Sequence, residues 1–75
     1  MTKTEALKVS LARRLARSGE AQRIRAEAEL SLNQIAAVVG VTHVTVRRWE
    51  LGDKRPSGKA AVRYADLLAA LRGQP

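Results

Sequence analysis

The chain has 75 residues, of which fourteen are lysine or arginine and seven are aspartate or glutamate, so its formal net charge is +7. This length allows one small domain with a limited hydrophobic core, and the absence of cysteine excludes disulfide bonds, thiolate metal sites and cysteine nucleophiles. The excess of positive charge favours a polyanionic partner, for which nucleic acid is the first candidate.

The first predicted element is an amphipathic helix over residues 4–17. Leu7, Leu11 and Leu15 recur at four-residue steps, and basic residues occupy much of the remaining surface. We expect this leucine face to be buried either against the last helix of the same chain or against a second subunit.

A second helix is predicted over about residues 20–29. Gly19 precedes it and supplies the left-handed residue that ends the first helix. Within the second helix, Ala21, Ile24 and Ala28 are expected to contact the core.

The next helix is predicted to begin at a capping box. Ser31 and Gln34 are three residues apart, so that each side chain can bind a backbone N–H of the first turn. Ile35, Ala36 and Val39 then recur on one helical face.

Gly40 is predicted to form a tight turn into another short helix. Thr42 can cap that helix, and Val46 and Trp49 continue the apolar stripe, which favours a core position for the tryptophan. Two helices that cross around a tight turn need a small residue where their backbones approach, and Ala36 meets this need.

The last predicted helix follows a loop at residues 52–58 that is rich in glycine, proline and charge. Its apolar stripe consists of Ala61, Tyr64, Ala65, Leu68 and Leu71. We expect Tyr64 to be half buried, with its hydroxyl free to meet solvent or phosphate. Gly73 should end this helix before a short tail of Gln74 and Pro75. No segment alternates with period two, so the fold is predicted to be all-α, a compact bundle of about five helices.

Residues 32–51 resemble the helix-turn-helix of the Cro and phage-repressor class of DNA-binding proteins, also called Xre-like. The resemblance rests on the small Ala36, on Gly40 in the turn, and on the apolar Val46 and Trp49 at their characteristic spacing. It implies a DNA-binding protein of that class.

The resemblance also implies how the chain is divided. Residues 19–75 correspond to a lambda-repressor-like DNA-binding domain with its motif at 32–51, and residues 1–18 form an extra N-terminal amphipathic helix. The chain departs from many relatives at Leu32, where a glutamine that contacts the DNA backbone is common. At the start of the helix that begins near Leu32, mainly backbone N–H groups then remain to contact the DNA backbone.

By the same resemblance, the helix at 42–51 enters the major groove and four of its residues contact base edges, namely His43, Val44, Arg47 and Arg48. Arginine can bind O6 and N7 of guanine, valine can pack on a thymine methyl, and histidine can donate to a purine N7 or a phosphate. The alternatives are a solvated helix face for the two arginines and incidental exposure for His43.

Contacts to the DNA backbone are expected from Asn33, Thr42, Thr45, Lys54, Arg55 and Lys59. The last three flank a helix start, where free N–H groups and the helix dipole favour an anion. Capping is the alternative role of Thr42, and simple solvation that of Asn33. In the family, a glutamate at the place of Glu50 pairs with an arginine on the helix before the helix-turn-helix motif, which implies a structural ion pair between Arg25 and Glu50.

These observations predict a sequence-specific transcriptional regulator. The resemblance implies a small Cro-like repressor of phage, prophage or plasmid origin that binds double-stranded DNA as a homodimer on a palindromic site. The alternatives are an antitoxin-type autorepressor with a protein partner and a basic protein-interaction or membrane-surface module centred on the first helix.

Enzymatic activity is not expected. The chain has one histidine and no cysteine, and no carboxylate pair or histidine cluster occurs at ligand spacing, so we expect no metal, cofactor or small-molecule substrate. The longest apolar run, residues 35–41, is too short to cross a bilayer, and the first eight residues lack the core of a signal peptide. We therefore expect no membrane partner and a location in the bacterial cytoplasm or nucleoid.

Overall fold

The computed structural model describes residues 1–73, in which five helices and no strand occur. The helices are α1 (Lys3–Ser18), α2 (Glu20–Glu27), α3 (Leu32–Val39), α4 (His43–Leu51) and α5 (Gly58–Arg72). The all-α prediction is therefore confirmed. The predicted tail, Gln74 and Pro75, lies outside the described residues. Across residues 1–73, no helix combines the length and the apolar character that crossing a membrane requires.

Capping boxes begin two of the helices. At α3, the Ser31 hydroxyl accepts from the Gln34 N–H at 3.1 Å, while the Gln34 side chain accepts from the Ser31 N–H at 2.8 Å. Thr2 and Glu5 form the same pair of bonds at 3.1 and 3.0 Å. Since these bonds satisfy N–H groups that the first turn leaves free, α1 begins at Lys3, one residue earlier than predicted.

The end of α2 differs from its prediction. The helix stops at Glu27, two residues before the predicted boundary, because Glu29 adopts a left-handed conformation with φ 59°. The Glu29 N–H donates to the Ala26 carbonyl at 3.0 Å, and the Leu30 N–H donates to the Arg25 carbonyl at 3.2 Å. This pair of bonds is a Schellman motif, which satisfies the carbonyls at the helix end and turns the chain toward α3.

The five helices share one hydrophobic core. Its largest fully buried apolar side chains come from α3, α4 and α5: Ile35, Val39, Val46, Tyr64 and Leu68. α1 packs mainly against α5, and it also contacts α2 and α4. The first of the two arrangements expected for α1, burial against the last helix of the same chain, is therefore observed.

The buried face of α1 coincides only in part with the leucine face that the sequence predicts. The buried residues of this helix are Val9, Ala12, Leu15 and Ala16. Leu11 is half buried, and Leu7 is 62% exposed. Each four-residue step advances about 40° beyond a full turn, so Leu7 and Leu15 point about 80° apart and cannot share one narrow contact.

Tyr64 is also placed differently from its prediction. Its side chain is 1% exposed, and its ring centroid lies 4.7 Å from that of Trp49, which is 2% exposed. The core position expected for Trp49 is thus observed, whereas the half-buried position expected for Tyr64 is wrong. Within residues 1–73, neither the Tyr64 hydroxyl nor the Trp49 Nε1 has a hydrogen-bond partner. Burial raises the pKa of the Tyr64 hydroxyl well above its ordinary value.

Candidate nucleic-acid interface

A tight turn at Gly40 leads from α3 into α4. Gly40 has φ 85°, and its N–H donates to the Ala36 carbonyl at 2.8 Å, while the Val41 N–H donates to the same carbonyl at 3.1 Å. A Cβ atom added to Gly40 would meet only Arg63 Nη1, at the ordinary contact distance of 3.6 Å. The positive φ, and not crowding, is therefore the reason for glycine here.

The two sides of α4 differ in exposure. Val46 and Trp49 face the core at 0% and 2% exposure. The exposed residues of the helix are His43, Val44, Arg47, Arg48 and Leu51. These positions follow the spacing of one helix side, so the four predicted base-contacting residues lie together on the outward side of α4.

Thr42 caps α4, which is the alternative role expected for it. Its hydroxyl oxygen accepts from the Thr45 N–H at 3.3 Å, and the Thr42 and Thr45 hydroxyls lie 3.1 Å apart in a hydrogen bond. That bond uses one of the two hydroxyl protons. The other proton remains for an outside acceptor, so capping is compatible with a phosphate contact at this corner.

Arg25 and Glu50 are brought together by α2 and α4. Arg25 Nε donates to one carboxylate oxygen of Glu50 at 2.7 Å, and Nη2 donates to the other at 3.0 Å. Nη1 donates to the Leu30 carbonyl at 3.1 Å. The hydrogen bond to Glu50 is the main cause of a raised pKa of Arg25. The acidic side chain on the candidate reading helix is therefore neutralised within the protein and does not face a DNA phosphate uncompensated.

Arg47 lies beside this ion pair, at a shallow depression next to the start of α3. The lining residues are Gln22, Arg25, Leu32, Arg47, Glu50 and Leu51. The first N–H groups of α3, those of Leu32 and Asn33, have no partner within a helix and carry the positive end of its dipole. Asn33 is exposed at this helix start.

Gln22 is a polar residue of this region that the sequence analysis does not select. It is exposed on α2 and lines the same depression as Arg47. No local pattern marks it, because its approach to α4 depends on the packing of α2 and not on neighbouring residues in sequence.

The loop between α4 and α5 carries Lys54 and Arg55 at its surface, where both are exposed. The loop is held at two points. The Lys54 N–H donates to the Arg48 carbonyl at 3.4 Å, and the carbonyl of the buried Pro56 accepts from Arg13 Nε at 2.7 Å. The two basic side chains are thus carried by an anchored segment of chain.

Lys59 is exposed on the first turn of α5. The pKa of Glu5 is lowered mainly by its bonds to Thr2, and the charge of Lys59 is the smallest contribution in the same direction.

Charge pairing leaves the predicted DNA-contacting side chains free. In the described part of the chain, the salt bridges join Lys8 to Asp66 at 2.9 Å, Arg23 to Glu20 at 3.5 Å, and Arg25 to Glu50 at 2.7 Å. None of these uses the arginines of the outward side of α4 or the basic residues of the following loop. That surface therefore presents uncompensated positive charge, as expected for a contact with phosphates.

The comparisons with known proteins agree with this geometry. The family model HTH_3, described as helix-turn-helix, matches residues 22–70, a span that includes α3 and α4 and excludes α1. No curated protein and no solved structure gives a significant match. The matched span covers well over half of the chain. The chain therefore belongs to the helix-turn-helix family of the Cro and Xre class, a family of DNA-binding regulators.

Proposed function

We propose that the chain is a sequence-specific transcriptional regulator that inserts α4 into the major groove of double-stranded DNA. One observation carries the proposal. The outward side of α4 is exposed and takes no part in the described salt bridges, while its inner side is buried at Val46 and Trp49. A helix held in this way keeps the backbone positions of its outward residues fixed, so that their side chains can reach base edges in a defined order.

Base readout is assigned to four residues of α4. Arg48 binds O6 and N7 of a guanine, and Val44, which is 47% exposed, packs on a thymine methyl. His43 lies in the first turn, which in this class of motif approaches the bases, and donates to a purine N7 or to a phosphate. Arg47 reaches either a base or a phosphate, since it lies at the edge of α4 next to the start of α3.

Contacts to the DNA backbone are assigned to residues on either side of this reading surface. Asn33 and the free N–H groups of α3 bind one phosphate, supported by the positive end of the helix dipole. The remaining hydroxyl proton of the Thr42 and Thr45 pair binds another. Lys54, Arg55 and Lys59 bind phosphates without reading sequence.

The regulator is proposed to be a small Cro-like repressor of phage, prophage or plasmid origin that acts as a homodimer on a palindromic site. Four reading residues on one helix can specify only a few base pairs, and each mismatch costs roughly 1–3 kcal/mol. A palindromic site contains the recognised half-site twice, so the free-energy difference between matched and mismatched DNA is doubled. In this class, two reading helices then lie about 34 Å apart, one turn of DNA.

Selection of bound duplexes from a random pool tests the proposal. The expected product is a palindromic sequence with half-site centres about 10 base pairs apart. Sedimentation of the complex should then give two chains per selected duplex, and the site placed over a promoter should reduce expression of a reporter gene. Recovery of sequences no different from the starting pool would contradict sequence-specific binding, and a single asymmetric half-site with one bound chain would contradict the dimer.

A further inference from the structure

A basic surface outside the α3–α4 unit is formed by α1 and the loop that follows α4. One depression is lined by Arg13, Arg14, Arg17 and Arg55, among others. A neighbouring one is lined by Arg13, Arg17, Lys54 and Arg55, with Trp49 and Pro56 among its apolar residues. We name the five basic residues that line the two depressions, Arg13, Arg14, Arg17, Lys54 and Arg55, the flanking surface.

The two parts of the flanking surface are fixed relative to each other. Arg13 Nε donates to the Pro56 carbonyl at 2.7 Å, which joins α1 to the loop across 43 positions of sequence. In the loop, Pro56 is buried. On α1, Ala16 is buried three residues after Arg13. Folding therefore brings basic residues from distant parts of the chain to one place and keeps them there.

The charge of the flanking surface is not compensated within the protein. No carboxylate lines either depression, and within residues 1–73 no salt bridge uses any of its five residues. Arg13 and Arg17 are four residues apart and Arg14 and Arg17 are three apart, spacings at which like charges on a helix repel. The dipole of α1 favours a cation at Arg17, in its last turn, but it does not account for Arg14 or Arg55.

The position of this surface indicates which polyanion it meets. Gly52, which ends the reading helix α4, lines the same depression as Arg17 and Lys54. The flanking surface thus begins where α4 ends. Resting on the function proposed above, we propose that it binds phosphates of the same DNA duplex, beyond the base pairs that α4 reads. α1 then enlarges the footprint without adding sequence preference.

The test compares two double variants that remove the same charge. Arg14→Ala with Arg17→Ala alters the flanking surface and leaves Arg13 to hold Pro56. Lys3→Ala with Arg72→Ala is the control, since both residues are exposed and neither lines the depressions of the flanking surface. Each variant is titrated with two duplexes at several salt concentrations. The short duplex ends at the edge of the selected site, and the long duplex extends it by roughly one further turn on each side, about 10 base pairs. Thermal unfolding verifies that both variants fold.

On the long duplex, the flanking-surface variant should bind roughly tenfold more weakly at low salt. Its slope of log affinity against log salt should fall by about two per protomer, since each phosphate contact contributes about 0.9. The short duplex should show little difference, and the preferred sequence should not change. Arg14→Lys with Arg17→Lys should restore the slope, because a lysine also neutralises a phosphate.

If the flanking-surface variant and the control variant lost equal affinity for the long duplex, the inference would be overturned, because the loss would reflect net charge alone. An unchanged slope on the long duplex would also overturn it, while sequence-specific binding by the wild-type chain would leave the proposed function standing. Absence of any preferred sequence in the wild type would instead reject the proposed function, and this inference with it. Binding to phosphatidylglycerol vesicles that the variant loses, together with unchanged DNA binding, would assign the surface to a membrane and overturn the proposal.

Discussion

Arg25 and Glu50 meet through two hydrogen bonds of 2.7 and 3.0 Å, which join α2 to the candidate reading helix α4. Their side chains are only 18% and 6% exposed. A charge at this depth needs its partner, because water cannot replace the interaction fully. The ion pair therefore acts as a clamp on the inner edge of α4.

Removal of the clamp should destabilise the fold. We expect Arg25→Ala to lower the free energy of unfolding by about 2 to 4 kcal/mol, because it leaves the Glu50 carboxylate buried without a partner. Arg23→Ala on the same helix is the control. Its ion pair with Glu20 is 3.5 Å long and largely exposed, so the loss should be below about 1 kcal/mol. Urea unfolding followed by the fluorescence of the single tryptophan, Trp49, measures both. If both variants lost less than about 1 kcal/mol of unfolding free energy, the clamp would contribute little to stability.

The buried hydroxyl of Tyr64 predicts a loss of stability at alkaline pH. Burial raises the pKa of Tyr64, so the folded chain retains a proton that the unfolded chain loses above about pH 10. The contribution of the protonated Tyr64 to the free energy of unfolding is fully present below about pH 10. It decreases by up to about 1.4 kcal/mol per pH unit as the pH rises toward the pKa that Tyr64 has in the folded protein.

Tyr64→Phe should remove this part of the pH dependence. At neutral pH it should leave stability unchanged or raise it by up to about 1 kcal/mol, because the hydroxyl has no hydrogen-bond partner in the described structure. Unfolding at pH 7 and between pH 10 and 11 measures both effects. Tyr64 is the single tyrosine of the chain, so its ultraviolet titration in the folded protein reports on this group alone. Titration near pH 10 in the folded state would contradict the argument.

The turn between α3 and α4 should be sensitive to substitution of Gly40. Gly40→Ala is expected to cost about 1–2 kcal/mol, because φ 85° is unfavourable for a residue with a Cβ atom. Gly40→Asn should cost less, since asparagine tolerates this conformation better. Gly73→Ala is the control, because Gly73 has φ −84° and an ordinary helical conformation. Denaturation midpoints rank the three variants, and equal effects of alanine at the two glycines would reject the conformational explanation.

Arg48 is predicted to read a base. Arg48→Ala should lose roughly 1 to 3 kcal/mol of binding free energy on the selected duplex and should relax the preference at one position. Binding to random DNA should change much less. Titration of both duplexes, together with a repeated selection on the variant, separates these effects. An equal loss on selected and random DNA would show that Arg48 contacts only phosphate.

Lys54 and Arg55 are predicted to neutralise phosphates. Lys54→Ala and Arg55→Ala should each lower the salt slope of binding by about one without changing the preferred sequence. Affinities measured between 50 and 200 mM salt, a range of roughly fourfold over which such slopes are well determined, test this. A changed sequence preference would make either residue a base reader, and an unchanged slope would remove it from the interface.

Interactions between residues close in sequence made much of the fold predictable. Ser31 and Gln34 are three positions apart, and Gly40 lies directly after α3, so the start and end of that helix follow from local bonds and one backbone angle. The spacing of Val46 and Trp49 likewise indicates which side of α4 is buried. The pairing of Arg25 with Glu50, 25 positions apart, followed only from the family resemblance.

The amino-acid sequence by itself determined where most helices begin and end and which side of α4 faces outward, because those features depend on contacts within about one helical turn. Only the tertiary structure decided that Val9 and not Leu7 faces the core, that the Tyr64 hydroxyl is buried, and that the arginines of α1 lie beside Arg55. These features depend on how α1 and α5 pack, and so on surfaces distant in sequence. Hydrophobic periodicity indicates which face of a helix is the most apolar, but it does not identify the element against which that face will pack.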